Sequence, residues 1–356
     1  MKVPSKVLTS GLIGFGMLVA SQASAEDFEL RIASGHASVA TWVNLTTTFF
    51  VPEVAKRVAE RTDHTIEFIE AYGGALVKPA DVFEGVQSGI VDIGGYCFCF
   101  EPSSLPMHAF PVMLPFGTPS AATSVKVVRA VYDKVPYMTE VFEDKFNQKL
   151  IMLSPEQSYQ LGTTFAWDSV TDLEGRKIAG AGLNLKWLES IGVVPVQSTL
   201  PDAYTGLQTG VYEGWIMFPS AWVQYKLYEV GKYFTETDFL SSTWMGWTIN
   251  KARWDSLPKE VQDIIMEVGR EYEARIGPLN DENYAKQIEE MQANGVTVTR
   301  LDDNVRQEWA EALKDWPQQK ATELDEQGLP ASEVLKLAIE EQEKNGHKWP
   351  VRYVIE

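Results

Sequence analysis

The 356-residue chain is poor in the groups that do covalent and metal chemistry. It has two cysteines, Cys97 and Cys99, and four histidines, His36, His64, His108 and His347. The histidines form no H-E-x-x-H or other tight ligand pair, so the helical zinc signature is missing. There is no G-x-S-x-G elbow, no phosphate loop and no G-x-G-x-x-G. Nothing around the cysteines would activate a thiol. No metal, no cofactor and no catalytic activity is expected. The chain also lacks internal repeats, low-complexity segments and, beyond residue 25, any apolar run long enough to cross a membrane. Positive charge is the scarcer sign, with 31 Lys and Arg against 49 Asp and Glu and a net charge of -18. Such a surface repels nucleic acid and anionic lipid, and no nucleic-acid partner is expected.

At the N-terminus, Lys2 and Lys6 precede an uncharged apolar run, Val7 to Ala20, and Ala23-Ser24-Ala25 is an A-x-A cleavage site. Residues 1–25 read as a cleavable export signal rather than a membrane span, which implies an exported mature chain. Export favours disulfides. The two cysteines, however, stand at i and i+2, about 7 Å apart on one face of a strand. That is a poor bridge geometry, so two buried free thiols are expected.

The remaining residues are globular in composition, 45% hydrophobic, with 11 Trp, 13 Tyr and 16 Phe. Their number points to two domains. FELRIAS (28–34) alternates like a strand, 41–61 reads as a helix with a proline in its first part, and HTIEFIEAY (64–72) is a second strand. DVFEGVQSGI (81–90) and VDIGGYCFCF (91–100) continue as helix and strand. This β-α-β-α-β series predicts a parallel sheet with helices on both faces. A second such unit fills about 155–238, and residues 258–295 carry one very long helical pattern. The fold expected is α/β, a two-lobed clamp with a long helix spanning the hinge. The expected division is 26–154 plus about 239–275 for lobe I, 155–238 plus about 276–335 for lobe II, and 336–356 as a C-terminal extension.

Ligands in open α/β sheets sit at the carboxyl ends of the strands. The stretches to inspect are therefore Ser34–His36, Ala71–Gly74, Gly95–Glu101, Ser154–Tyr159, Ile178–Gly182 and Trp215–Trp222. Aromatic residues crowd them. Trp42, Tyr72, Tyr96, Phe98, Tyr159, Trp215, Phe218 and Trp222, with Glu101 and Ala179, are the candidate ligand-binding residues. Strand alternation sends Tyr96, Phe98 and Phe100 to one face and both cysteines to the other.

Several of these stretches carry a resemblance. AYGGAL (71–76) followed by VFEGVQSGIVDIG (82–94), DLEGRKIAGAG (172–182) and SIGVVPVQSTLPDAYTGLQTGVYEG (190–214) resemble, in order and spacing, the periplasmic solute-binding proteins of tripartite ATP-independent periplasmic (TRAP) transporters, the DctP-like family. The resemblance spans about 28–295. It implies a monomeric two-lobed periplasmic protein that closes on a small organic solute and delivers it to a small and a large membrane subunit. In the family an arginine after the Lys-Ile pair typically pairs with the solute's carboxylate. Here Lys177-Ile178 is followed by Ala179. Two substitutes for that arginine remain open: Lys186, and the backbone N–H groups of the Gly-Ala-Gly turn. The resemblance implies a small organic acid; without either substitute, the missing arginine points instead to an aromatic or neutral solute, or next to an amine or betaine-like zwitterion in an aromatic box, balanced by Glu70, Glu101 or Asp238. A ligand sensor for a membrane receptor and a secreted enzyme on the same scaffold are the alternatives.

Overall fold

The computed structural model describes Met1 and residues 25–356, so the expected export signal lies almost entirely outside the described residues. Eleven strands are described: β1 Asp27–Ser34, β2 Thr65–Ala71, β3 Ile93–Cys97, β4 Gln148–Ser154, β5 Gln160–Thr163, β6 Lys177–Gly180, β7 Val194–Gln197, β8 Gly214–Met217, β9 Tyr233–Glu236, β10 Met245–Asn250 and β11 Thr297–Arg300. They form two sheets, in the orders β2-β1-β3-β10-β4 and β11-β9-β5-β8-β6-β7. β1, β2 and β3 are parallel, as the alternating β-α-β pattern requires, while β10 enters antiparallel between β3 and β4. In the second sheet β6, β7 and β8 are parallel and β5 runs against β8 and β9. Each sheet is the core of one lobe. No helix among the described residues is long and apolar enough to cross a membrane.

The helical stretch 41–61 holds its proline without a break. A π turn, Thr46–Phe50, widens the helix just before Pro52, which opens the following segment Val51–Arg61. The wider turn absorbs the hydrogen bond that proline cannot make.

The chain passes between lobes at 155–159, at 237–244, and along the helix Lys259–Ala293. This long helix is fixed to lobe I at three places. Gly277 lies so close to the helix Ala121–Lys134 that a Cβ there would meet backbone atoms of Ala122 at 2.6 Å. One turn on, the Asp281 carboxylate accepts from the Ser120 hydroxyl (2.8 Å) and from the Ala121 and Ala122 N–H groups (2.7 and 3.2 Å). It thereby caps the neighbouring helix, where negative charge is favoured. Upstream, Glu273 is buried against Arg129 and also accepts from the Leu153 N–H of β4 at 2.7 Å. Further along, the same helix holds the crossing strands. Asn280 donates to the Pro155 carbonyl (2.7 Å), Gln157 to Gln287 (2.7 Å), and Gln160 to the Tyr284 hydroxyl (2.9 Å).

The C-terminal part differs from the expected division. The helix Asp303–Ala312 packs beside residues 170–173 of lobe II, but Trp316–Asp325 and Ala331–Lys344 return to lobe I and pack on the 106–113 stretch and, for the second, on Ala121–Lys134. The last residues are tied down there, with the Tyr353 hydroxyl on the Pro115 carbonyl (2.7 Å) and the His347 ring on that of Phe116 (2.9 Å). Burial lowers the His347 pKa to about 4, so the ring is neutral and donates.

Removing the Glu273 carboxylate strands the Arg129 guanidinium in the interior, which costs about 3–5 kcal/mol. Glu273→Ala is therefore expected to lower the unfolding free energy by that amount, read as a lower denaturant midpoint at an unchanged slope. A loss within about 0.5 kcal/mol, the range of an ordinary surface change, would show that the pair does not hold the helix.

Candidate functional site

On lobe I the carboxyl ends of β1 and β2 meet an aromatic group. The Trp42 ring stands edge-on to His36 (5.3 Å between centroids) and to Trp247 (5.2 Å), and Tyr72 stands edge-on to Trp247 at 6.4 Å. Trp247 has room because residue 95 is glycine: a Cβ there would come within 2.7 Å of the indole. Three buried polar atoms in this group, His36 Nδ1, the Tyr72 hydroxyl and Trp247 Nε1, have no hydrogen-bond partner. Burial lowers the His36 pKa and raises that of Tyr72, so both are neutral at physiological pH. Unpaired buried polar atoms are rare and costly; a bound solute or water would satisfy them.

On lobe II, Tyr159 is the centre. Phe218 lies at 5.4 Å, Trp187 at 5.9 Å and Trp244 at 6.3 Å from its ring, all tilted or edge-on. Trp187 also reaches across to lobe I, donating from Nε1 to the Val112 carbonyl at 3.3 Å. Between the two aromatic groups runs the first crossing segment. Its Glu156 has a fully used backbone: the N–H donates to the Ser242 carbonyl, and its own carbonyl accepts from the Ser241 hydroxyl. The Glu156 carboxylate, in contrast, has no hydrogen bond and no ion pair among the described residues. It is half-buried, yet enclosed by protein deeply enough that burial pushes its pKa up to about 8. Its charge is felt by the Tyr159 and Tyr272 hydroxyls. The neighbouring Ser158 and Ser242 hydroxyls are buried without partners as well.

The Gly-Ala-Gly stretch does not supply a cation. Ala179 is fully buried, in register with Trp215 on the adjacent parallel strand. Matched residues share a face, so an indole fills the space beside it. Arg176 pairs with Glu213 (2.7 Å) and lies over the Phe165 ring, and Lys177 is exposed. Lys186 faces Glu189 at 3.4 Å. The backbone donors of the turn are also taken: Ala181 N–H by Asn184 (2.8 Å) and Gly182 N–H by Gln197 (3.1 Å). Both substitutes for the missing arginine are therefore engaged within the protein.

Several expected site residues lie elsewhere. Tyr96 and Phe98 belong to the core on the helix-covered side of the first sheet, where the Tyr96 hydroxyl donates to Gln148 (3.0 Å) and Phe98 packs on His108 and Phe142. Glu101 lies beside Glu84, away from the aromatic groups; burial, then that neighbour, raises its pKa. Trp222 is core of lobe II, its ring lying where a Cβ on Gly162 would come within 2.3 Å. Trp215 packs on Tyr212 at 5.8 Å and touches the question only through Ala179. Of the proposed counter-charges, Glu70 is exposed and accepts from Thr47 (2.8 Å), while Asp238 is held by Gln160 (3.0 Å) and Arg300 (3.2 Å). Trp42 and Tyr72 stand in the aromatic group of lobe I, and Tyr159 and Phe218 in that of lobe II.

The expectation of free thiols is overturned: Cys97 and Cys99 form a disulfide. β3 ends at Cys97, and Phe98–Phe100 curl into a single 3-10 turn instead of continuing the strand. The turn brings the two Cα atoms to 5.1 Å, within bridging range. It also breaks the alternation, leaving Phe100 exposed near His36.

Among the described residues no group of three or more His, Cys, Asp or Glu could hold a metal. The profile of the bacterial extracellular solute-binding proteins, family 7 (DctP), matches residues 41–323. The ectoine-binding periplasmic protein TeaA of Halomonas elongata is 25% identical over 292 residues, covering 78% of this chain and 81% of the relative. A TRAP solute-binding protein of Rhodoferax ferrireducens, solved with copurified benzoate, superposes with a TM-score of 0.77 at 19% identity, over 89% of this chain and 98% of that one. Another, from Bordetella bronchiseptica with bound mandelate, gives 0.76 at 22% identity, over 89% and 99%. The two sheets, the hinge-spanning helix and the extent of the family match lead to one conclusion: this chain belongs to the DctP family of periplasmic solute-binding proteins of TRAP transporters.

Proposed function

We propose that the protein binds a small organic solute carrying a positive charge, an amine or a betaine-like zwitterion, and hands it in the periplasm to a pair of TRAP membrane subunits. The observation that carries this reading is the Glu156 carboxyl, which lies on the crossing segment near the Tyr159 and Tyr272 hydroxyls and has no cationic partner among the described residues. The residues alone favoured an aromatic or neutral solute. An unpaired carboxyl shifts the balance, because an enclosed carboxyl is held neutral alone and becomes a carboxylate when a cation enters with it. Trp42, Tyr72, Tyr159 and Phe218 offer ring faces or edges to the apolar part of the solute. Each cation–ring contact adds about 0.5–2 kcal/mol. The side chain at residue 179 offers no guanidinium fork to a carboxylate. The ectoine-binding relative is in keeping with a zwitterion.

A thermal-shift panel tests the class. A solute at 100 times its dissociation constant adds about 2.7 kcal/mol of stability. Ectoine, betaines and amines are expected to raise the melting temperature, with benzoate, pyroglutamate and C4-dicarboxylates as comparators. A shift confined to dicarboxylates would overturn the reading.

Protonation gives a second test. With a pKa of about 8, Glu156 is largely neutral at pH 7 in the free protein. A cationic solute favours the carboxylate, so binding releases a proton and affinity rises with pH up to about 8, then levels off. Calorimetry in buffers of different ionisation enthalpy measures the release. Proton uptake, or affinity falling as pH rises, would mean that neutral Glu156 donates to an anion. In the free protein the raised pKa has the opposite consequence for stability. The neutral form's contribution is complete below the usual carboxylate value and is lost as pH rises towards 8. Glu156→Gln should therefore stabilise the free protein more at pH 8 than at pH 5. It should also weaken the solute by about 10- to 100-fold, the 1.5–3 kcal/mol of a charged hydrogen bond.

A further inference from the structure

The Cys97–Cys99 bridge has no part in solute binding as described, and its setting gives it a chemistry of its own. A bridge between residues two apart closes a minimal loop, so it restricts the unfolded chain less than any longer one. It is poorly suited to be a staple. Its two sulfurs are also unlike. Cys97 is buried at 5% exposure, at the end of β3 and in register with Met245. Cys99 is half-buried on the 3-10 turn, one residue from exposed Phe100. The Cys99 N–H donates to Cys97 Sγ at 3.2 Å. Exposure makes Cys99 the more accessible electrophile, and the hydrogen bond offsets part of what burial costs a leaving Cys97 thiolate.

We propose that this bridge is an exchangeable redox site, opened by a thiol or dithiol that attacks Cys99. The thiolate attacks Cys99 Sγ along the bridge axis and forms a mixed disulfide. The Cys97–Cys99 bond breaks, and its electron pair leaves on Cys97 as a thiolate held by the Cys99 N–H. With a dithiol, the second thiol loses its proton and attacks the reductant's own sulfur in the mixed disulfide, releasing Cys99 as a thiolate. The dithiol is oxidised by two electrons and the bridge is reduced by two. The consequence reaches the hinge. The Phe98 N–H, inside the bridged turn, donates to the Trp244 carbonyl at 2.9 Å, and the Trp244 ring stands on Tyr159. Opening the bridge loosens the turn that leans on that strand.

The test uses the oxidised full-length mature protein, glutathione as the thiol, acid quenching and peptide mass spectrometry. The glutathione adduct is expected on Cys99 at least about tenfold over Cys97, under conditions where far-UV circular dichroism is unchanged. Equal labelling, an adduct on Cys97, or a bridge that resists millimolar glutathione until denaturant unfolds the chain would overturn the proposal. Dithiothreitol followed by iodoacetamide gives the independent check: both cysteines should become alkylated with the fold intact. Since no solute enters either measurement, the outcome is independent of the reading of the solute site.

Discussion

The hydrogen-bonded contact between the long helix Lys259–Ala293 and the segment 155–160 is the constraint on which the other features depend. Asn280, Tyr284 and Gln287 take hold of Pro155, Gln157 and Gln160, while Asp281 and Glu273 tie the same helix to lobe I. One rigid rod thereby sets the path of the crossing strand. Gln157 also accepts from the Ser220 N–H at 2.9 Å, which carries the constraint on to the helix beside Phe218. With these polar side chains turned to the helix, Tyr159 packs among Trp187, Phe218 and Trp244, and the Glu156 carboxyl is left without a partner among the described residues. The proposed site would thus be a product of the hinge, and a solute held at Glu156 would bear directly on the segment that the long helix grips.

The chemistry of the site follows from an exchange of charges. A family arginine at residue 179 would bring a positive charge to the second sheet. In this chain that strand carries alanine beside a buried indole, Arg176 and Lys186 face Glu213 and Glu189, and Lys177 is exposed. A carboxyl appears instead on the crossing strand, enclosed enough to hold its proton at neutral pH. Desolvation makes such a group a poor anion alone and a strong partner for a cation that enters with it. Aromatic rings are suited to the same guest, since they desolvate it while offering negative faces.

Much of the fold was legible because it rests on periodicity. The alternation of residues 28–34 and 64–72 and the long helical pattern gave β1, β2 and the hinge helix close to where they stand. Ala179 stands where the resemblance puts an arginine, and it is fully buried in register with Trp215. Tyr96 and Phe98 were misplaced because alternation was carried past Cys97, where the backbone turns. The disulfide was missed for the same reason, since strand spacing keeps i and i+2 apart and a 3-10 turn does not. Trp222 could not be told from a pocket residue until Gly162 was seen beneath its ring. Glu156 lay within a stretch worth inspecting. Its lack of a partner is a three-dimensional fact, and only the Ser-Pro-Glu step straight after a strand hinted at it. The return of the last helices to lobe I depends on packing against Ala121–Lys134, which no local pattern encodes.

The central claim is that Glu156 is the counter-charge of a cationic solute. A crystal structure of the protein with its copurified solute tests it most directly. The account predicts a solute nitrogen within ion-pair distance of the Glu156 carboxylate, with rings of Trp42 or Tyr159 against its apolar part. A solute carboxylate clamped by an arginine, with Glu156 facing no donor, would contradict it.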